Sequence, residues 1–171
     1  MKKLCSLLTV VFAVILPANC FAQKYVKSFP QYGFSIASPV PLSDISAQAG
    51  TNFLVNYAGY QDENNRKTAA FYQIMALRLP AGALDYSQAE LERIFRNYME
   101  STVVKSFLSK KAISFGYESY PGYEVTAVSN GYNQKGVFFL KGVYIIALTV
   151  ITNYNMDSRF NSFTNGFKSL N

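Results

Sequence analysis

The fold of this chain is decided by a largely apolar stretch near its C-terminal end, Val143-Tyr144-Ile145-Ile146-Ala147-Leu148-Thr149-Val150-Ile151. Apolar side chains occupy both the odd and the even positions of this stretch. Since alternate residues of a strand face opposite sides of a sheet, both faces of this strand must be covered. The stretch therefore predicts the central strand of a sheet that is covered on both sides.

Three further strand-like runs lead up to this strand, at residues 112–119, 123–130 and 135–140. The connections between the runs are short, and one of them contains Pro121-Gly122. Short turns join neighbouring antiparallel strands, so the four runs predict an antiparallel meander that ends at residues 143–152.

The first half of the chain predicts one short strand and one hairpin. The short strand covers residues 33–37, and the hairpin pairs residues 52–60 with residues 69–79 across a polar tip at residues 61–67. Both hairpin strands carry apolar side chains on both faces. Helices are therefore needed to cover the sheet.

A capping pattern marks the first helix. Ser87 precedes Glu90 by three residues, the spacing of a capping box, and apolar residues then recur at helical spacing. Asp85 is an alternative cap. These features predict a helix over residues 88–107.

Aromatic spacing predicts a second helix at the C-terminal end. Asn155 or Asp157 can cap it, and Phe160, Phe163 and Phe167 lie three and four residues apart on one stripe. With these two helices the sequence predicts an α+β fold, an antiparallel sheet flanked by helices in a helix–sheet–helix sandwich.

The N-terminal segment predicts a secretory signal peptide at residues 1–22. Lys2 and Lys3 precede a largely apolar run of 13 residues, Leu4 to Leu16, and small side chains at Cys20 and Ala22 suit cleavage after Ala22. The mature chain is then a single domain of residues 23–171, periplasmic or secreted. Its net charge falls from +6 to +4 with the loss of the two lysines.

Two other readings of the N-terminal segment are disfavoured. A membrane anchor needs roughly 20 apolar residues, more than this segment offers, and no second run of that kind follows. Lipidation of Cys20 expects a small residue immediately before it, where this chain has Asn19.

Missing residue types exclude several chemistries. The chain has no His, and both of its cysteines lie in the predicted leader. A thiol nucleophile, a Ser-His-Asp triad, a zinc site of ordinary type, His-ligated haem and disulfides are therefore excluded from the mature chain. The sequence predicts no cofactor and no metal site.

Three phrases resemble the PsbP-like fold. They are Tyr32-Gly33-Phe34-Ser35-Ile36-Ala37-Ser38-Pro39, Tyr120-Pro121-Gly122-Tyr123-Glu124 and Phe163-Thr164-Asn165-Gly166-Phe167-Lys168-Ser169-Leu170, with Gly166 where Ser is usual. The chain is also similar to small exported bacterial proteins of the DcrB type. The resemblance implies an antiparallel sheet between helices and a non-catalytic accessory role, and it supplies no catalytic residue.

Carboxylates offer the remaining catalytic chemistry. Glu118 and Glu124 flank Pro121-Gly122 and could face each other across a hairpin, which keeps open a carboxylate-dependent hydrolase of a cell-wall or extracellular glycan. A solvated cross-strand pair is the simpler interpretation. The acidic tip at residues 62–65 lacks the alternation and central glycine of a calcium loop.

Thirteen tyrosines are the most unusual feature of the composition. An outward-facing tyrosine can stack on a sugar or anchor a protein partner. Four lie close together in the sequence of the meander and are the predicted partner-binding residues: Tyr117, Tyr120, Tyr123 and Tyr132. The sequence thus predicts a non-enzymatic binding or assembly protein of the bacterial envelope. Its partner would be an envelope protein or cell-wall component, and not nucleic acid.

Overall fold

A computed structural model describes residues 24–48, 53–79, 85–103 and 107–170. The predicted signal peptide, residues 1–22, lies outside these ranges. In chain order the elements are β1 (Tyr25–Phe29), β2 (Phe34–Ser38), β3 (Ser43–Asp44), β4 (Val55–Gln61), β5 (Ala70–Arg78), α1 (Gln88–Tyr98), β6 (Ser109–Phe115), β7 (Tyr120–Ser129), β8 (Tyr132–Lys141), β9 (Tyr144–Thr152), α2 (Met156–Thr164) and β10 (Phe167–Ser169).

Seven strands form the main sheet in the order β3-β4-β5-β9-β8-β7-β6, and every neighbouring pair is antiparallel. Strand β9 is the fourth of the seven, and its Leu148 lies between Ile74 of β5 and Val137 of β8. The predicted central strand, the hairpin and the meander are therefore confirmed.

The two faces of β9 belong to two separate hydrophobic cores. Ile146 and Leu148 pack with Phe160 and Phe163 of α2. Ile145 and Ala147, which point to the opposite face, pack with Leu91 and Phe95 of α1. The sheet thus has a helix on each side, which confirms the predicted α+β sandwich. No helix in the described ranges is long and apolar enough to cross a membrane.

A second sheet of three antiparallel strands, in the order β1-β2-β10, lies on the α2 side. Of these three strands the sequence predicts only β2, whereas β1 and β10 carry no strand prediction. Phe167 pairs with Ile36 of β2, so its predicted place in the second helix is wrong. A Cβ at Gly166 would overlap the carbonyl oxygen of Ala37, whose amide donates to Gly166 at 2.9 Å. A residue with a side chain would not fit there, which explains the glycine.

The turn between β6 and β7 is also displaced from its predicted place. Pro121-Gly122 lies inside β7, and the chain reverses at residues 116–119, where Gly116 and Ser119 have φ of +72° and +57°. Gly122 serves close strand packing, because a Cβ there would lie 2.6 Å from the carbonyl oxygen of Phe138.

The capping box of α1 is present. Ser87 Oγ accepts from the Glu90 amide at 3.4 Å, and Glu90 Oε2 accepts from the Ser87 amide at 2.9 Å. The α-helix ends at Tyr98 and continues as a π-helical turn, Met99–Val103. The α-helical part is therefore shorter than the predicted 88–107, and residues 104–106 lie outside the described ranges.

Helix α2 begins without a side-chain cap. Asn155 occupies the N-cap position with φ of +50°, but its side chain accepts no hydrogen bond from the first turn. Asp157 lies in that first turn, where its charge suits the helix dipole.

Candidate binding site

The four tyrosines predicted to bind a partner do not form one surface. Tyr117 is fully exposed in the β6–β7 turn, whereas Tyr132 begins β8 at the opposite end of the sheet. Tyr120 packs against the core on the α2 side, and Tyr123 belongs to the core on the α1 side. Their closeness in sequence is not closeness in space.

Tyr120 takes part in a polar cluster that joins three strands. Its hydroxyl lies 3.0 Å from Ser169 Oγ of β10. Lys141 Nζ of β8 donates to the Tyr120 hydroxyl at 3.2 Å and to Ser169 Oγ at 3.0 Å. The half-buried Tyr120 thus links the two sheets, which is a structural role.

Tyr123 is a core residue. Only 7% of it is exposed, and its ring centroid lies 5.9 Å from that of Phe95 in α1. Burial disfavours the phenolate and raises the pKa of the Tyr123 hydroxyl above its usual value. Tyr123 therefore offers little surface to a partner.

Tyr132 lines an aromatic groove of about 460 Å³ on the α1 face of the sheet. Tyr60 of β4 lies directly opposite Phe71 of β5, and their ring centroids are 4.9 Å apart. Phe71 in turn pairs with Ile151 of β9. Ile151 lies four residues beyond Ala147, the last β9 residue in the core under α1. The groove therefore opens where the cover provided by α1 ends.

Two hairpin tips form the polar rim of the aromatic groove. Glu63 comes from the β4–β5 connection, and Asn130 comes from the β7–β8 turn. Asn130 and Gly131 have φ of +51° and +79°, as a two-residue hairpin turn requires. The described residues that line the groove include one carboxylate and no Lys or Arg. Tyr60, with 60% of its surface exposed, is the most accessible ring of the groove.

Two buried polar atoms lie deeper on the same face of the sheet. Thr149 precedes Ile151 by two residues on β9, and neither its hydroxyl nor Asn56 Nδ2 has a hydrogen-bond partner among the described residues. The other amide atom of Asn56, Oδ1, accepts from Gln73 Nε2 at 2.9 Å. Both residues are almost fully buried, so the unmet hydrogen bonds cost stability.

Glu118 and Glu124 do not form a pair across a hairpin. Glu118 is exposed in the β6–β7 turn, whereas Glu124 lies within β7, 3.3 Å from Lys135 Nζ. Lys135 also donates to Asp157 of α2 at 2.9 Å and lies over the Phe160 ring. The geometry expected of a two-carboxylate hydrolase is therefore missing at these residues.

The charge of Lys135 is stabilised by this arrangement. Burial works against its protonated form, but hydrogen bonds from Lys135 to Asp157 and Glu124 outweigh burial and raise the pKa of the ammonium. Glu124 thus has a structural partner that ties the sheet to α2.

The acidic hairpin tip at residues 62–65 is a hydrogen-bonded turn. The Asn65 amide donates to the Asp62 carbonyl at 2.7 Å, and the Lys67 amide donates to Asn65 Oδ1 at 3.1 Å. Across the described ranges, no three acidic, His or Cys side chains group together in a way that could hold a metal ion.

A second concavity, of about 330 Å³, lies between α1 and the β6–β7 hairpin. Glu92 and Arg96, which form a 4.0 Å ion pair, belong to its α1 wall, and Tyr123 contributes to the opposite wall. It is smaller than the aromatic groove, and its charged groups already pair with each other.

Sequence reasoning found one residue of the aromatic groove, Tyr132, and missed Tyr60 and Phe71. Both missed residues lie in the predicted hairpin and were assigned to its covered faces. The sequence offered no signal for them, because a helix over the predicted residues 88–107 would span roughly 30 Å, whereas α1 ends at Tyr98. A helix of 11 residues spans roughly 16 Å, whereas a nine-residue strand such as β9 spans roughly 30 Å.

The seven-stranded antiparallel sheet between two helices, with a small second sheet beside it, defines a PsbP-like α+β fold. One solved structure with a similar fold is the solution structure of cyanobacterial PsbP (CyanoP) from Synechocystis sp. PCC 6803. The TM-score is 0.55 at 13% identity, over 86% of this chain and 93% of that chain. This likeness concerns the fold alone. No family model and no curated protein matches the sequence.

Proposed function

We propose that residues 23–171 form an exported, non-enzymatic binding or assembly protein of the bacterial envelope, which contacts its partner through the aromatic groove. The observation that carries the proposal is the groove itself, which keeps Tyr60 largely exposed beside the half-buried rings of Phe71 and Tyr132. Its volume lies within the roughly 300–1,000 Å³ that ligand sites occupy. Exposed aromatic rings are also typical anchors of protein interfaces.

Three further features support a binding role. The absence of His from the whole chain, and of Cys beyond the predicted leader, removes the most versatile catalytic side chains. Glu124 is engaged with Lys135, away from Glu118. The PsbP-like fold suggests an accessory role rather than catalysis, and the DcrB-type resemblance predicted from the sequence phrases agrees with that role.

Location in the envelope rests on the predicted signal peptide at residues 1–22. Lys2 and Lys3, the apolar core and Ala22 together predict export and cleavage. Intact-mass measurement of the exported chain should give the mass of residues 23–171. A retained leader, or a lipid mass on Cys20, would contradict this.

Site-specific photo-cross-linking in living cells tests the groove as the contact surface. A photoreactive phenylalanine analogue replaces Tyr60 in one variant and Tyr117 in a matched control, since both side chains are exposed but only Tyr60 lies in the groove. We expect one discrete cross-linked species from position 60 and none from position 117. Equal cross-linking at both positions, or none at position 60, would contradict the proposal.

A further inference from the structure

We infer that the aromatic groove binds a neutral saccharide. This inference rests on the proposed function and names the chemical class of its ligand. It follows from the shape of the aromatic platform, the chemistry of the rim and the local charge.

The aromatic side chains of the groove form a platform. Tyr60 and Phe71 pack against each other at 4.9 Å, with an angle of 54° between their ring planes. Because these two rings already touch, they cannot enclose a cation between their faces as an aromatic cage does. What remains accessible is an outer aromatic surface, continued by the half-buried ring of Tyr132. The apolar C–H face of a sugar ring packs on a surface of this kind.

The rim supplies the hydrogen bonds that a sugar needs. The Glu63 carboxylate accepts hydrogen bonds, and the Asn130 amide both donates and accepts them. Sugar hydroxyls can use both kinds of partner. Glu63 and Asn130 lie on separate hairpin tips, so polar groups flank the aromatic platform from two loops.

Local charge argues against an anionic ligand. The chain as a whole is basic, with a net charge of +6, yet the groove lining, as far as the structure describes it, has a carboxylate and no Lys or Arg. An anion in the groove would meet the Glu63 carboxylate, and neither Arg66 nor Lys67 of the same hairpin tip lines the groove. A neutral polyol meets no such repulsion.

Two-dimensional NMR titration of the ¹⁵N-labelled mature chain tests this inference with two uncharged trisaccharides, maltotriose and N,N′,N″-triacetylchitotriose. We expect at least one of them to shift the amide resonances of the groove residues Ala69 and Ala70. Tyr60→Ala should weaken binding about tenfold or more, as truncation of a central aromatic contact does. Tyr60→Phe, which keeps the ring, and Tyr117→Ala, which lies outside the groove, should retain binding.

Choline serves as the probe of a cationic ligand. The inference is overturned if neither trisaccharide shifts these amides, if only choline does, or if Tyr60→Ala binds a trisaccharide as the native chain does. Cross-linking of a protein at position 60 without any saccharide shift would leave the proposed function standing and remove only the saccharide. If neither the cross-linking at position 60 nor the saccharide titration gives the expected result, both the proposed function and the saccharide inference are refuted.

Discussion

At the scale of single residues, Thr149 and Thr152 form a natural pair for comparison. They lie three residues apart on β9 and are both almost fully buried. Thr152 Oγ1 donates to the Ala69 carbonyl at 2.8 Å and accepts from the Tyr154 amide at 3.1 Å, whereas the Thr149 hydroxyl has no partner within the described ranges. The same side chain is thus satisfied on one face of the strand and unsatisfied on the other.

Replacement of each threonine by valine should separate the two environments. Thr152→Val should lower the free energy of unfolding by about 1–3 kcal/mol, because it removes the hydrogen-bond partner of the part-buried Ala69 carbonyl and Tyr154 amide. Thr149→Val should leave it within about 1 kcal/mol of the native value, or raise it, because only an unmet hydroxyl is removed. Urea denaturation of both variants measures the difference. Equal losses would show that the Thr149 hydroxyl has a partner.

At the scale of elements, α2 is held in the core chiefly by aromatic packing. Phe163 is fully buried, and its ring lies 5.4 Å from that of Tyr72 on β5. The helix has no side-chain N-cap, so its stability depends on this packing more than on its own sequence.

Phe163→Ala should lower the free energy of unfolding by about 3–5 kcal/mol, through lost burial and the cavity that remains. Ser162→Ala, at the exposed neighbouring position of the same helix, should change it by less than about 0.5 kcal/mol. Chemical denaturation compares the two variants. An unchanged midpoint for Phe163→Ala would mean that α2 is not part of the core.

The sequence predicted elements well where the pattern is local, and it failed where a distant strand decides. The β9 stretch and the Ser87–Glu90 capping box carry their own signals. Phe167, in contrast, continues the helical spacing of Phe160 and Phe163, yet it joins β10 because β2, about 130 residues earlier, offers an unpaired edge. No short stretch of sequence around Phe167 shows that β2 will lie beside it.

The candidate site also contains residues that the local sequence predicts and residues that only distant contacts place there. The sequence indicates Tyr132 because aromatic residues are frequent around it, but only closeness in sequence groups Tyr117, Tyr120 and Tyr123 with it. A pleated strand sends Tyr120 and Tyr123 to opposite faces, and β7 carries Tyr132 to the far end of the sheet. The groove exists only because four strands and two hairpin tips meet there.

At the scale of the whole molecule, the chain should show an unusually flat dependence of stability on pH near neutrality. It has no His, and the groups near its core whose pKa values are shifted are tyrosines and a lysine, which ordinarily titrate around pH 10. Burial raises the pKa of Tyr72 and Tyr123, and hydrogen bonds to Asp157 and Glu124 raise that of Lys135.

These shifts have the same consequence at alkaline pH. The tyrosines stay neutral in the folded state while those of the unfolded chain ionise above about pH 10, and unfolded lysine loses its proton near the same pH. The free energy of unfolding should therefore stay nearly constant from about pH 6 to 9 and fall above about pH 10. Urea titrations across this range measure it. A marked change in the free energy of unfolding between pH 6 and 9 would contradict this account of the titrating groups.

The central claim for the whole molecule is that it binds through the aromatic groove and does not hydrolyse its partner. Co-sedimentation of the purified mature chain with isolated envelope material tests both halves of this claim. We predict that the native chain sediments with the envelope and that Tyr60→Ala combined with Tyr132→Ala stays in the supernatant. Glu118→Gln combined with Glu124→Gln should sediment like the native chain, because Glu118 is exposed and Lys135 keeps Asp157 as its charged partner when Glu124 is neutral. Sedimentation of the tyrosine variant at the native level would contradict the account, and so would release of glycan fragments that the Glu→Gln changes abolish.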